Sequence, residues 1–274
     1  MTAKCFNILL LGDIIGRVGR MALRNCLDGL IQRHQAAFVV ANGENAAAGM
    51  GITAEIAVDM FNAGVDVITT GNHIWCKREI ISFLEDEPRL LRPANYPGQV
   101  PGRGSGLFTA ANGCKVGVIN LEGRVFMNNL DCPFLAADRE VAALARETPL
   151  IIIDFHAETT SEKGALGYYL DGRVSVLAGT HTHVQTADAR VLPGGTAYIT
   201  DLGMTGSLDG VIGFRKEQAI QRFLTQRPVR LEPARRMPVV NGLVATVDPV
   251  SGRALKVERI FERVAGDAAD DGEQ

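Results

Sequence analysis

The sequence predicts an α/β protein built from two packed, mixed β-sheets with helices on their outer faces. In the first half of the chain, apolar runs of strand length alternate with segments of helical period, which is typical of parallel β-α-β units. These runs are apolar throughout, so we expect both faces of the first sheet to be buried. The second half is richer in hairpin signals, which adds antiparallel strands and makes the sheets mixed.

Three units of strand, loop and helix open the chain. Each begins with a short apolar run and continues into a loop rich in glycine, asparagine or acidic residues. A segment of helical period then follows the loop. The predicted strands cover residues 6–11, 37–41 and 65–70, and the helices after them cover residues 20–32, 54–63 and 77–85.

The pattern changes after residue 90. A stretch rich in proline and glycine leads to Asn112-Gly113, which lies between two alternating runs and therefore predicts a hairpin. Later signals also favour strands over helices. They are buried strands at 150–155 and 174–178, each ending in a loop that carries histidine, and hairpins within 190–203 and 242–261.

Composition limits the partners that the protein can have. The chain has 274 residues, of which 46% are hydrophobic and 22% charged, so it can bury a core without disulfides. No linker interrupts the pattern, and we predict a single domain over residues 1–265. Residues 266–274 carry four acidic side chains and are expected to be a disordered acidic tail. The body is close to neutral without a basic stripe, so duplex nucleic acid is not an expected partner.

Cysteine usage and the first residues indicate the compartment. The five cysteines are scattered and form no CxxC pair, which favours reduced thiols in the cytoplasm. The apolar run near the start is shorter than the 18 or so residues that a membrane span needs, and no cleavage site follows it. We therefore interpret it as a buried strand and expect no association with a membrane.

Five loops that follow predicted strands carry the side chains that could bind a metal or take part in catalysis. Ligands of open α/β sheets bind beyond the carboxyl ends of the strands, so we expect these loops to converge. Together they offer two carboxylates, two carboxamides and four imidazoles, which suit a pair of first-row transition ions bridged by a carboxylate. Ca²⁺, Mg²⁺ or a thiolate zinc site would need other ligands. The loops contain Gly12-Asp13, Gly43-Glu44-Asn45, Gly71-Asn72-His73, Phe155-His156 and residues 179–183 with His181 and His183.

Each loop also has an ordinary structural explanation. Asp13 could be a helix N-cap, and Glu44 with Asn45 could be turn residues. The histidine of GNH could be incidental to a turn, and His156 could be a hydrogen-bonded core residue. Coincidence is a weaker explanation for the pair of histidines in THTH. All five loops together are much harder to explain by coincidence than any one of them.

Other catalytic motifs do not fit. The glycines of GDIIGRVG have the spacing G-x3-G-x2-G, which is not the dinucleotide fingerprint. No GxSxG, Walker A or HExxH motif occurs. Cys76 could be a nucleophile, but no separate base is assigned to it. Four arginines near the loops could bind phosphate, although surface exposure is their ordinary explanation: Arg17, Arg20, Arg103 and Arg124.

The ordered series GD, GEN, GNH, FHAE and GTHTHVQTAD resembles the calcineurin-like metallophosphoesterases, and specifically the YmdB-like family of bacterial dinuclear-metal phosphodiesterases. The likeness runs from residue 6 to about residue 261. The wider superfamily begins with D-x-H, whereas this chain has Asp13-Ile14-Ile15, and Glu44 replaces an aspartate; both departures are the YmdB-like pattern. The resemblance implies a metallophosphoesterase-like four-layer sandwich, in which helices flank the two packed sheets.

The resemblance also implies the metal centre. It would hold two transition metal ions per chain, namely iron, with manganese or zinc as alternatives. Asp154 and Asp188 are candidates to orient ligand imidazoles, because ligating histidines usually donate their other N–H to a carboxylate or carbonyl. One metal would bind Asp13, Glu44, Asn45 and His183, and the other would bind Glu44, Asn72, His156 and His181, with Glu44 bridging the two.

The implied activity is hydrolysis of cyclic nucleotides, such as 2′,3′-cyclic nucleotides, or of related small phosphodiesters. A hydroxide bridging the two metals would attack phosphorus in line. His73 would be the catalytic acid and would give its proton to the departing ribose oxygen, which is typically worth about 10² to 10⁴ in rate.

Two other functions stay open at this point. One is a regulatory or signalling protein whose metal centre acts through binding a partner. The other is a phosphomonoesterase or nucleotidase with the same centre. His73 favours an enzyme, because a structural cage has no use for a free imidazole beside Asn72. Exposed hairpins could form a homo-oligomer interface, although no sequence pattern demands one.

Overall fold

Strands and helices contribute about equally to the computed structural model, which describes residues 5–265. The acidic tail expected at residues 266–274 lies outside this range. The strands are β1 (Phe6–Leu11), β2 (Asp13–Ile14), β3 (Ala36–Asn42), β4 (Val67–Thr69), β5 (Ser105–Thr109), β6 (Lys115–Glu122), β7 (Ile151–His156), β8 (Val176–Thr180), β9 (Arg190–Val191), β10 (Ala197–Ile199), β11 (Met204–Ser207), β12 (Pro238–Val247) and β13 (Ala254–Arg263).

Six α-helices accompany these strands in the described part of the chain. A short 3₁₀ turn, Ile74–Cys76, precedes the third helix. Among residues 5–265, no helix combines the length and the apolar character needed to cross a bilayer. The helices are α1 (Gly16–His34), α2 (Ala54–Asn62), α3 (Ile80–Asp86), α4 (Pro133–Leu144), α5 (Thr160–Tyr169) and α6 (Lys216–Thr225).

The strands form two mixed sheets. The first has the order β2-β11-β12-β1-β3-β4, with β13 paired to β12, and β1, β3 and β4 run parallel within it. The second has the order β5-β6-β7-β8-β10-β9, with four parallel strands between two antiparallel edge strands. The loops that follow parallel strands of both sheets can therefore meet, and the candidate site lies among these loops.

Three apolar clusters separate four layers. The first cluster packs α1, α2 and α3 against one face of the first sheet. The second lies between the two sheets, and the third packs α4 and α5 against the outer face of the second sheet. Strand β1 shows why its run is continuously apolar: Leu9 and Leu11 face the helices, whereas Ile8 and Leu10 face the other sheet. The predicted class, two packed mixed sheets flanked by helices, is confirmed.

All three predicted hairpins are present, as the antiparallel pairs β5–β6, β9–β10 and β12–β13. Some element boundaries differ from the prediction. Helix α1 starts at Gly16 rather than residue 20, and α3 starts at Ile80 rather than residue 77, because residues 77–79 form a turn between the 3₁₀ turn and the helix. Strand β8 spans Val176–Thr180 rather than 174–178.

Three helices, α4, α5 and α6, were not predicted. Helix α5 contains Gly164 and Gly167, which weaken a helical signal because glycine is a poor helix former. The second glycine has a packing reason, since a Cβ at Gly167 would lie 2.6 Å from Cε2 of Tyr198 on β10. The close approach of this helix to the sheet is therefore a tertiary requirement that local propensity does not reveal.

Candidate metal centre

Five loops bring all eight candidate side chains into one contact network. Asp13 follows β1, the loop after β3 carries Glu44 and Asn45, and the loop after β4 carries Asn72 and His73. In the second sheet, His156 ends β7, and His181 and His183 follow β8. The network thus draws on strand ends of both sheets, as the sequence pattern predicts. The individual roles of the residues as ligands or acid stay predictions.

Glu44 lies at the middle of the network and is fully buried, with 0% exposure. Its Oε2 is 3.2 Å from Nε2 of His156, and its Oε1 is 3.3 Å from Nδ1 of His73. The carboxamide of Asn45 donates to Oε1 at 3.0 Å. Burial acts to raise the pKa of Glu44, but His156 and His73 outweigh it and hold that pKa well below its usual range. Glu44 is therefore an ionised carboxylate that contacts residues from both sheets.

Two imidazoles face each other beside Glu44. Nε2 of His156 lies 3.0 Å from Nδ1 of His181 and 3.1 Å from Oδ1 of Asn72. Burial acts to lower the pKa of His156, but Glu44 raises it to about 9. Burial and the nearby His156 lower the pKa of His181 to about 3. Glu44 therefore favours the protonated form of His156, whereas burial favours the neutral form of His181.

Asp13 has a buried oxygen without a hydrogen-bond partner among the described residues. Its Oδ2 accepts the backbone N–H of His181 at 3.2 Å. Its Oδ1 accepts no hydrogen bond and lies 3.7 Å from Nε2 of His183, which in turn is 3.2 Å from Nδ2 of Asn45. Burial raises the pKa of Asp13 to about 6. An unpaired buried acceptor is costly, so this oxygen is well suited to bind a cation.

The donor set fits a transition metal. Donor atoms of Glu44, His156 and His181 lie within 4.8 Å of one another and form a possible metal-binding cluster. Carboxylate and imidazole are ligands that first-row transition ions accept, and the unpaired Asp13 oxygen adds another donor. These residues therefore fit the kind of metal that the sequence pattern predicts.

Hydrogen bonds to neighbouring groups hold the imidazoles in place. Nδ1 of His156 lies 2.9 Å from Oγ1 of Thr180, which donates to Asp154 at 2.7 Å. Asp154 therefore acts on His156 through a threonine hydroxyl, rather than directly as predicted. Nε2 of His181 lies 3.0 Å from Oε2 of Glu158, and Nδ1 of His183 lies 2.8 Å from the carbonyl of Ile212. Each ring thus keeps one nitrogen for the centre.

The prediction for Asp188 is wrong. Its carboxylate accepts hydrogen bonds from Oγ1 of Thr186 and Oγ1 of Thr200, each at 2.6 Å, and it pairs with Arg190. Outside the predicted ligand set, Glu158 is a carboxylate that does contact a candidate imidazole, that of His181. It belongs to the FHAE series, so the sequence contained a signal that could have identified it.

His73 lies at the accessible side of the network, with 26% of its side chain exposed. Its Nδ1 is 2.8 Å from Oδ1 of Asn45. Burial acts to lower the pKa of His73, but the hydrogen bond and charge of Glu44 raise it. Burial raises the pKa of the nearby Cys76 thiol, which counts against Cys76 as a nucleophile. His73 is thus an imidazole that solvent can reach beside the cluster, and Glu44 favours its protonated form.

One of the four candidate arginines supports a site loop. The guanidinium of Arg20 donates to the backbone carbonyl of Ala46 at 2.5 Å, directly after Glu44 and Asn45. Burial lowers the pKa of Arg20 from its usual value. Arg20 therefore stabilises the loop that carries Glu44 and Asn45.

The family model described as YmdB-like protein matches residues 9–260 of the chain. The chain belongs to this family. A relative from Bacillus subtilis (strain 168), named 2′,3′-cyclic-nucleotide 2′-phosphodiesterase, is 50% identical over 255 residues, which cover 93% of this chain and 96% of the relative. The YmdB-like family predicted from the series of loop motifs is thereby confirmed over nearly the whole chain.

Two solved structures show the same fold as this YmdB-like protein. One is a hypothetical protein from Thermus thermophilus, with a TM-score of 0.88 and 36% identity over 94% of this chain and 99% of that chain. The other, described as a novel phosphatase from Mycoplasma pneumoniae, has a TM-score of 0.89 and 34% identity over 96% of this chain and 95% of that chain.

Proposed function

We propose that this YmdB-like protein is a metal-dependent phosphodiesterase that hydrolyses 2′,3′-cyclic nucleotides or related small phosphodiesters. The observation that carries the proposal is the network of eight side chains with His73 at its accessible side. The 50% identical relative is a 2′,3′-cyclic-nucleotide 2′-phosphodiesterase, which supports the same substrate class here. Fold alone would not support a substrate, because one fold serves many reactions.

The proposed centre binds two transition metal ions, iron or alternatively manganese or zinc. Glu44 would contact both, since its two carboxylate oxygens face different sets of neighbours. When bound, the ions would supply an activated water and neutralise charge that develops on the phosphoryl oxygens. Asp13, Asn45 and His183 would complete one ligand set, and Asn72, His156 and His181 would complete the other.

His73 is the proposed proton donor. Its Nδ1 is held by Asn45 and Glu44, which leaves Nε2–H as the group that can reach a substrate. In the reaction, water adds to phosphorus and releases one proton to solvent, and the bond between phosphorus and a ribose oxygen breaks. The proton of Nε2 passes to that departing oxygen, and the imidazole is protonated again from solvent. Glu44 raises the pKa of His73 and so favours the protonated form that can donate.

The proposed setting is the cytoplasm, with residues 1–265 acting as one domain. The five cysteines support this setting, because all of them are free thiols in the structure. A small phosphodiester, rather than a nucleic acid duplex or a membrane, is the proposed partner.

The test compares turnover of a diester and a monoester with metal content in the same preparation. His73→Ala is the variant, and His34→Ala is the matched control because His34 lies at the end of α1, outside the network. We expect the wild type and His34→Ala to cleave the diester. His73→Ala should lose about 10²- to 10⁴-fold in rate while keeping its metals.

Two results would contradict this function, and a third would contradict only the role of His73. An inactive wild type with full metal occupancy would favour a regulatory protein that acts by binding. Faster turnover of the monoester than of the diester would favour a phosphomonoesterase or nucleotidase. Wild-type turnover by His73→Ala would remove His73 from the reaction while leaving the centre in place.

A further inference from the structure

A fully buried ion pair lies outside the metal network. Nζ of Lys163 on α5 donates to Oδ2 of Asp201 at 2.7 Å, and both side chains have 0% exposure. Charges in such a place pay a large desolvation cost, and well-packed apolar residues often replace such pairs without loss of stability. The reaction proposed above uses neither residue, so the pair needs an explanation of its own.

Asp201 connects this pair to the loop that carries two candidate ligands. Its Oδ2 accepts the backbone N–H of Thr182 at 3.2 Å and the hydroxyl of Thr182 at 2.7 Å. Its Oδ1 accepts the backbone N–H of Gly203 at 2.8 Å. Thr182 is the residue between His181 and His183. Both carboxylate oxygens are thus occupied, which makes Asp201 a fixed support rather than a ligand.

The turn that Asp201 holds has an unfavourable backbone. The φ angle is 96° at His181 and 64° at His183, in the left-handed region that residues with a Cβ rarely adopt. Such conformations persist only where the surrounding structure enforces them. Hydrogen bonds to an ionised carboxylate are stronger than neutral ones, and the ammonium group of Lys163 compensates the charge of that carboxylate in the absence of water.

We propose that the Lys163–Asp201 pair is a clamp that positions His181 and His183 for metal binding. The proposal rests on the metal centre proposed above. Asp201 accepts hydrogen bonds from the backbone N–H and the hydroxyl of Thr182, and so fixes the orientation of the imidazoles of His181 and His183 on either side. Lys163 and Asp201 are positioning residues, because they act through the turn.

The test measures Mn²⁺ binding to metal-depleted protein, with free Mn²⁺ read from its electron paramagnetic resonance signal. Lys163→Met removes the compensating charge. Thr182→Val removes one hydrogen bond and keeps the shape of the side chain. Leu30→Ala is the control, because Leu30 is fully buried in the α1 cluster and its loss lowers stability without touching the turn.

We expect both clamp variants to bind Mn²⁺ about 10- to 100-fold more weakly than the wild type. Leu30→Ala should keep the wild-type affinity despite a lower melting temperature. If Lys163→Met does not fold, the Mn²⁺ affinity of Thr182→Val tests the clamp by itself, because this variant leaves the ion pair intact.

Two outcomes would overturn the clamp and leave the centre standing. One is unchanged Mn²⁺ affinity in the clamp variants. The other is an equal loss of affinity in Leu30→Ala, which would make the effect one of general stability. A wild type that takes up neither Mn²⁺ nor, in parallel dialysis, Fe²⁺ or Zn²⁺ would overturn the proposed centre, and the clamp with it.

Discussion

Replacing Gly71 by alanine places one methyl group in the middle of the proposed centre. Gly71 lies in the loop after β4, directly before Asn72, and its φ is not in the left-handed region, so the backbone itself accepts alanine. An added Cβ would lie 2.2 Å from Cδ2 and 2.4 Å from Nε2 of His156, and 2.5 Å from Oε2 of Glu44. The substitution therefore changes the site by shape alone, without removing a donor.

The size of the effect follows from these distances. Non-bonded heavy atoms meet at about 3.5–4.0 Å, so His156 and Glu44 must retreat by about 1 Å or more. Both are fully buried and cannot move into solvent. A misplacement of about 1 Å in a reacting geometry costs roughly 10²-fold in rate, which corresponds to about 2.7 kcal/mol. We expect Gly71→Ala to lose at least that much in kcat/KM on a diester, together with part of its metal.

The assay pairs steady-state kinetics with elemental analysis for the wild type, Gly71→Ala and a glycine control. Gly29→Ala is the control, because Gly29 lies on α1 and an added Cβ there meets no atom within 4 Å. Alanine should stabilise that helix by roughly 0.5–1 kcal/mol and leave turnover unchanged. Wild-type kcat/KM and metal content in Gly71→Ala would refute the geometry of the centre.

Four further predictions concern metal content and pH. Glu44→Ala should lose both metals in elemental analysis, and full occupancy would contradict its bridging role. In the metal-free protein, the pKa of His156 is raised from 6.5 to about 9. Mn²⁺ uptake at pH 7 should therefore release a proton, and the affinity for Mn²⁺ should weaken as the pH falls below 9. Calorimetry in two buffers counts that proton, and an affinity that does not depend on pH would contradict this prediction. The same raised pKa stabilises the metal-free fold below pH 6.5, and this contribution is lost as the pH rises through about 9. The pKa of Asp188 is lowered, because hydrogen bonds from Thr186 and Thr200 outweigh its burial. Asp188→Asn should therefore have a lower melting temperature than the wild type at pH 7, and the difference in melting temperature should close as the pH falls below 3.8. A difference that persists in acid would contradict this role of the Asp188 carboxylate.

The positions of the candidate residues could be predicted because they depend on topology more than on packing. Apolar runs such as Phe6–Leu11 mark strands that are buried on both faces, and parallel strands end at the same edge of a sheet. Polar residues directly after such strands then have to meet. The buried Glu44 and the orphaned oxygen of Asp13 agree with this reasoning.

The groups that support the site could not be predicted in the same way. Lys163 lies in a segment where a lysine would ordinarily be solvated, and only the packing of α5 on the second sheet buries it. Thr180 acts on His156 from the neighbouring strand, a contact that depends on strand register. Asp188 follows His183 closely in sequence, yet its hydrogen bonds join it to Thr186 and Thr200 instead. Proximity along the chain was a poor guide to contact there.

Anomalous diffraction from crystals of the metal-loaded protein tests the central claim most directly. We expect two anomalous peaks among the loops that follow β1, β3, β4, β7 and β8, separated by about 3.5–4 Å, with Glu44 touching both. A single peak, or peaks bound elsewhere on the protein, would contradict a dinuclear centre built from these side chains.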